Sequence, residues 1–394
     1  MNTPKRVLIF SLAYYPRLVG GAEVAVKEIT DRIDPEDFEF HMLTMRTGKG
    51  SLTEERIGNV TVHRVGFSAD SGILLRLNKY LFLVLAPLRA SHLHCRRRFD
   101  AVWSIMAYVA GFPTLLFKLF HMDVPFVLTL QEGDPIDYMI QKTKPVQKLF
   151  RMIFSHADRI QAISRYLAEF ARVMGAKSEP VVVPNGVDVE AFTKDVSDAE
   201  IDALRREFGV LEQETLMVTA SRLVRKNGVW DIIRSLSYLP PETKLLVLGT
   251  GELESDLKEK TKELGLESRV IFKGFVPHRE LPRYLKASDI FARPSLSEGF
   301  GNAFIEAMAA GIPVIATPVG GIVDFLRDKE TGLFCEVGSS EDIARKALIY
   351  MNDRDLRDEI VDNALHMVVD HYDWKGVAKG MQDVLESAIS SAAK

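Results

Sequence analysis

What most constrains this chain is an alternation. Short apolar runs are separated by amphipathic, helix-period segments, and the pattern runs once to about residue 190 and then starts again. Runs of this kind read as buried strands of βαβ units, which build parallel sheets. The first half places strands at 7–12, 39–44, 60–65, 101–105, 126–129, 159–163 and 181–183, and the second at 216–220, 244–248, 270–273, 290–292 and 313–316. Between the halves lies VPNGVDVEAF, with Pro184, Asn185 and Gly186, followed by a polar stretch at 193–200. That is a turn-rich junction. The expectation is an α/β protein with two Rossmann-like domains, 1–190 and 191–370, whose parallel sheets face each other across a cleft, where ligands of such folds usually sit. A last amphipathic helix in 371–394, with Trp374, Val377, Met381 and Val384 at helical spacing, is expected to pack back toward the first domain.

Composition narrows the function classes. A formal net charge of −4 over 394 residues excludes a global electrostatic commitment to nucleic acid. The two cysteines, Cys95 and Cys335, lie outside any ligand spacing, which points to a reducing, cytoplasmic compartment without a disulfide framework or zinc site. Lys5-Arg6 before VLIFSLAYY resembles the start of a signal peptide. No small-residue cleavage site follows, so the run reads as the first strand. The apolar stretch 73–88 is interrupted by Arg76 and Lys79 and is too short to span a bilayer. With Arg89, Arg96, Arg97 and Arg98 it makes residues 73–98 a candidate peripheral contact with the inner face of a membrane. The alternative is an apolar face packed inside the first domain, with its arginines in solvent.

The most informative segment is ARPSLSEGFGNAFIEAMAAGIPVIATPVGG. An apolar strand ends in a Ser/Gly-rich loop, and a helix begins near Gly301 and Asn302. Gly299 and Gly301 let a ligand approach the backbone, and the exposed amides of a first helical turn favour an anion. Glu306 follows among Ala303, Ala307 and Ala310, where a carboxylate needs a polar partner. Glu298, seven intervening residues and Glu306, within SEGFGNAFIEAMAAGIPVIAT, resemble the donor signature of retaining glycosyltransferases of family four, which have the two-Rossmann-domain GT-B fold. The resemblance covers nearly the whole chain and is most specific over 216–335.

The resemblance implies roles. Glu298 lies against the donor sugar, Glu306 holds the ribose hydroxyls, and the backbone of Phe300, Gly301 and Asn302 faces the diphosphate and sugar. SRLVRKNGVWDII looks like the family's basic loop, whose arginine and lysine grip the diphosphate; Arg222 matches the arginine. The lysine position aligns with Asn227, and Lys226, one place earlier, is taken to fill the role. Cations suit this place because the leaving diphosphate gathers negative charge in the transition state. In the family the turn VLGTGELESDL approaches the nucleotide, which makes Gly249, Gly251 and Leu253 donor contacts, and VIFKGFVPHREL brings the Phe275-Val276 backbone beside the base. PRLVGGAEVAVKEI supplies a Gly20-Gly21 loop suited to close on the donor phosphates or the acceptor. One departure stands out: Gln131 occupies a family histidine position, with Glu132 and Asp134 after it as candidate acceptor contacts. For Glu132 and Asp134, capping or a solvated turn is an equal alternative.

The implied activity is sugar transfer from a UDP-, GDP- or ADP-sugar to an acceptor hydroxyl of a glycan, a lipid-linked sugar or a small molecule, with no metal and no resident cofactor. One rival is a nicotinamide-dependent oxidoreductase, which lacks support because no third glycine follows Gly251. The other, motivated by Gln131 and the shifted lysine, is a noncatalytic nucleotide-sugar-binding protein or partner subunit.

Overall fold

The apolar runs become the strands of two separate sheets. The computed structural model describes residues 3–17, 20–48, 51–69 and 71–392. Its contacts divide the chain into one unit of Met1–Asn185 with Trp374–Lys394 and a second of Gly186–Asp373. The division thus falls at 185 and 373, beside the junctions at 190 and 370 read from the sequence.

The first sheet contains β1 (Lys5–Phe10), β2 (Phe38–Thr47), β3 (Glu54–Ile57), β4 (Val60–Ala69), β5 (Ala101–Ile105), β6 (Phe126–Leu130), β7 (Arg159–Ala162) and β8 (Val181–Val182). Its order is β3-β4-β2-β1-β5-β6-β7-β8, and every pair is parallel except β3 with β4. The crossovers are α1 (Gly21–Arg32), α2 (Gly72–Arg97), α3 (Gly111–Phe120), α4 (Ile136–Thr143), α5 (Gln147–His156) and α6 (Arg165–Met174). Residues Val7, Leu8, Ile9 and Phe10 are wholly buried, as expected of a parallel strand covered on both faces.

The second sheet contains β9 (Thr215–Ala220), β10 (Thr243–Leu248), β11 (Val270–Gly274), β12 (Ile290–Arg293), β13 (Val314–Ala316) and β14 (Leu333–Phe334), in the order β11-β10-β9-β12-β13-β14 and parallel throughout. This is the doubly wound 3-2-1-4-5-6 arrangement. Its helices are α7 (Val189–Thr193), α8 (Asp198–Glu207), α9 (Val229–Ser235), α10 (Glu254–Glu263), α11 (Leu281–Lys286), α12 (Asn302–Ala309), α13 (Ser340–Asn352) and α14 (Arg354–His371).

The last helix, α15 (Trp374–Ala392), belongs to the first unit. Its Trp374, Val377, Met381 and Leu385 join Val7, Ile9, Val26 and Ile29 in one buried cluster. Each such side chain contributes roughly 1.5–3 kcal/mol relative to exposure. Helix α2 is two-faced. Asn78, Phe82, Ala86, Ala90 and Leu93 are buried, while Ile73, Leu77, Tyr80, Val84 and Leu88 form a second stripe at the same helical spacing that remains exposed. No helix among the described residues is long and apolar enough to cross a membrane.

Candidate functional site

In an open parallel sheet the chain leaves adjacent strands in opposite directions at one place, and the crevice beyond their carboxyl ends is open to a ligand. In the second unit that place lies between β9 and β12. The loops leaving these strands, 221–228 and 294–301, carry Arg222, Lys226 and Glu298. The loop after β10 carries Gly249, Gly251 and Leu253.

Close backbone approach locks these loops together. Leu223 N donates to Thr250 O (2.9 Å), Leu253 N to Leu223 O (3.0 Å), and Leu296 N to Lys226 O (2.6 Å). Gly249 sits at φ +131°, and a Cβ there would lie 1.9 Å from Ser221 O, so only glycine fits. Gly251 lies over the Leu223 backbone. Val276 is half-buried beyond β11, beside an exposed Phe275.

Helix α12 begins without a side-chain cap. Its N-cap is Gly301 at φ +103°, and no acidic residue occupies the first turn. A Cβ at Gly301 would come within 2.5 Å of the Phe304 ring. The amide end of the helix therefore remains a favourable place for an anion. The Phe300 side chain packs against Phe325 and Tyr372, with ring centroids 5.1 and 5.8 Å away, which leaves its backbone to line the loop.

Both glutamates are held inside this frame, each 8% exposed. Glu306 Oε1 lies 2.9 Å from His278 Nε2, and the His278 ring sits 5.5 Å from that of Phe192. Glu298 Oε2 accepts from Arg293 Nη2, and the same nitrogen donates to Asn227 Oδ1 (3.4 Å). Asn227, in the family's lysine position, is buried and donates to Arg222 O (2.7 Å), so its side chain is a structural tie. Arg222 itself is exposed, and Lys226 is half-buried in the turn of 225–227. Sequence reading missed His278 and Arg293. The only available signals were a histidine after Val276-Pro277 and an arginine ending an apolar strand before Pro294.

The residues singled out in the first unit have different surroundings. Gly20 is the N-cap of α1, its amide donating to Glu23 Oε2 (2.7 Å), and Gly21 opens the helix; residues 18–19 of that glycine loop lie outside the described residues. Gln131 is buried and exchanges amide hydrogen bonds with Asn185 at 3.2 and 3.4 Å. Glu132 is buried too. Its Oε1 accepts from Ala107 N (2.7 Å) and Tyr108 N (3.5 Å), and burial raises its pKa. Asp134 is exposed. Among the described residues no group of three or more His, Cys, Asp or Glu is arranged to hold a metal ion.

The second unit thus offers an uncapped helix start flanked by two buried carboxylates, a setting for an anionic ligand that also carries hydroxyls. Comparison with known proteins gives this setting relatives. The family described as Glycosyl transferases group 1 matches residues 200–367, and Glycosyltransferase Family 4 matches 19–191. An uncharacterized glycosyltransferase of Methanocaldococcus jannaschii is 30% identical over 399 residues, covering 98% of each chain. The N-acetyl-alpha-D-glucosaminyl L-malate synthase of Bacillus anthracis is 27% identical over 93% of each. Among solved structures, sucrose-phosphate synthase from Thermosynechococcus elongatus superposes with a TM-score of 0.85 at 20% identity, covering 98% of this chain and 100% of that one. Anabaena HepE in complex with UDP and glucose gives 0.77 at 21%, covering 97% and 100%.

Proposed function

The chain belongs to the family 4, group 1 glycosyltransferases, and from that premise we propose that it moves a hexosyl unit from a nucleoside-diphosphate sugar to an acceptor hydroxyl, without a metal ion and with retention of anomeric configuration. One observation carries this reading: Glu298 and Glu306 are buried on either side of the uncapped start of α12. Glu306, steadied by His278, accepts from the ribose hydroxyls. The helix amides and the loop of Phe300, Gly301 and Asn302 take the diphosphate, with Arg222 and Lys226 balancing the charge that builds on it as the glycosidic bond breaks. Gly249, Gly251, Leu253 and Val276 border the nucleotide, and Gly20 and Gly21 border the phosphates or acceptor. Glu298 accepts from a sugar hydroxyl. The C1–O bond to phosphate breaks, the acceptor oxygen bonds C1 on the same face, and its proton passes to the departing phosphate oxygen. Gln131, Glu132 and Asp134 act on the acceptor side. Of these, Gln131 and Glu132 do so by shaping the loops after β5 and β6.

HepE with bound UDP makes a uridine donor the first to test. In a thermal-shift screen of UDP-, GDP- and ADP-sugars, one class is expected to stabilise the protein equally with and without EDTA. A ligand at 100 times its Kd adds about 2.7 kcal/mol. Stabilisation by none of them overturns the reading. Donor binding with neither transfer nor slow donor hydrolysis leaves a noncatalytic binding protein instead.

The acceptor side of the proposal includes a lipid surface. Helix α3 packs against α2 and ends near exposed Phe120 and Met122; Ile73, Phe120 and Met122 are 73%, 80% and 74% exposed. Residues 72–99 hold six basic side chains and no acidic one, in a chain of net charge −4. Apolar insertion with a basic rim suits an anionic bilayer. Co-sedimentation with phosphatidylglycerol-containing vesicles, but not with phosphatidylcholine alone, is expected at low salt and is lost in Leu77→Glu/Val84→Glu. Equal pelleting of that variant overturns the assignment.

A further inference from the structure

Resting on the donor-site reading above, we infer that Arg293 is the positioning residue of this site: it fixes Glu298 so that one carboxylate oxygen is presented to the donor sugar. Arg293 closes β12 and is 9% exposed, an unusual depth for a guanidinium. It lies between the two loops that leave the switch point. One nitrogen, Nη2, bonds both Glu298 Oε2 and Asn227 Oδ1, and Cζ stands 5.2 Å from the centre of the Phe304 ring on α12. A single side chain therefore ties the cation-bearing loop, the glutamate and the helix into one frame.

The pair is only half satisfied. Among the described residues Arg293 Nε is buried with no hydrogen-bond partner, and Arg293 holds Glu298 through one carboxylate oxygen, Oε2. A buried ion pair adds little stability over apolar packing, and a purely structural one closes its remaining donors and acceptors. Here Arg293 takes one carboxylate oxygen, Oε2, and leaves Oε1 to face the site. That oxygen can accept a hydroxyl hydrogen in a fixed direction. Positioning of this kind acts on the sugar and not on the nucleotide, and this separates it from a general loss of structure.

The test uses the full chain. UDP, GDP and ADP binding is measured by calorimetry, and slow hydrolysis of the matching nucleotide sugar gives turnover. In Arg293→Leu, turnover is expected to fall about 100-fold, as on removal of a preorganised donor, while nucleoside-diphosphate affinity stays within about threefold; Arg293→Lys recovers most of the loss. Unchanged turnover in the leucine variant overturns the inference, as does diphosphate affinity falling in step with turnover, or a lysine variant no better than leucine. Should the leucine variant not fold, the charge-keeping lysine must exceed Arg293→Gln by about tenfold, and equality overturns the proposal. Wild-type protein that binds none of the three diphosphates breaks the donor-site reading itself, a result visible before any variant is made.

Discussion

The carboxyl ends of the two sheets carry the same kinds of residue in opposite states. In the first unit, the buried polar groups bond atoms of their own unit, although Glu132 Oε2 is buried without a partner among the described residues. Gln131 and Asn185 exchange both amide bonds, and Glu132 accepts from the amides of Ala107 and Tyr108. On β2 and β4 of the same sheet, His41 and His63 bond each other at 3.0 Å and end on Glu39 and Glu54. In the second unit, among the described residues, Glu298 is held by Arg293 and Glu306 by His278 beside an uncapped helix start. Since burying a polar group costs free energy unless it is bonded, a closed pair such as Gln131 and Asn185 supports the fold, and carboxylates held beside an uncapped helix start mark where a ligand completes the bonding.

The largest effect that sharpens this contrast is expected from Glu306→Ala. Losing a charge-assisted bond to a ribose costs about 2–3 kcal/mol, roughly 30- to 150-fold in nucleoside-diphosphate affinity, with melting temperature little changed. Calorimetry showing wild-type affinity in this variant removes the distinction between the two sheet ends.

Next comes the histidine pair of the first unit. Burial pushes His63 down to about 4, with Glu54 opposing and His41 and Arg89 adding to the fall; burial also lowers His41, which Glu39 opposes and Arg97 reinforces. Between the unfolded value near 6.5 and the folded value, the unfolded chain binds more protons than the native one. Stability is therefore full above about pH 6.5 and falls as pH drops toward 4, on the order of 1–3 kcal/mol. Urea titrations at several pH values check this slope. The double variant His41→Leu/His63→Leu should flatten it, and an unaltered slope there shows that other groups carry the acid sensitivity.

The smallest effect is expected from Glu132→Gln. Burial raises the Glu132 pKa, so its carboxylate opposes folding as pH rises above the normal carboxyl range. The neutral amide keeps an oxygen for Ala107 N. Denaturation should show a gain of no more than about 1 kcal/mol at pH 8, with diphosphate affinity within twofold of wild type. A large loss of affinity would instead make Glu132 part of the donor machinery.

Much of this arrangement was legible in the chain. The twelve apolar runs read from the sequence all became strands, because a parallel strand covered on both faces must be apolar along its length. β3 and β14 escaped notice because EERI is a polar edge and Leu333–Phe334 is only two residues long. Gly301, Glu298 and Glu306 were legible because they share one strand–loop–helix unit with fixed spacing. Their partners were not: His278 reaches Glu306 across 28 residues and Asn185 reaches Gln131 across 54. Helix α2 was ambiguous for a related reason, since an apolar helix with two stripes does not say which one meets the sheet.

The sequence by itself determined the alternation of strands and helices, the restart near residue 190 and the glycine-bearing turn before Asn302, because each depends on neighbours within one element or one turn. Only the tertiary structure decided that α15 joins the first unit, that Arg293 holds Glu298, and that Gln131 and Glu132 are bonded to their own chain. Those outcomes depend on which buried polar atoms find partners, and the partners arrive from strand ends and loops that folding alone brings together.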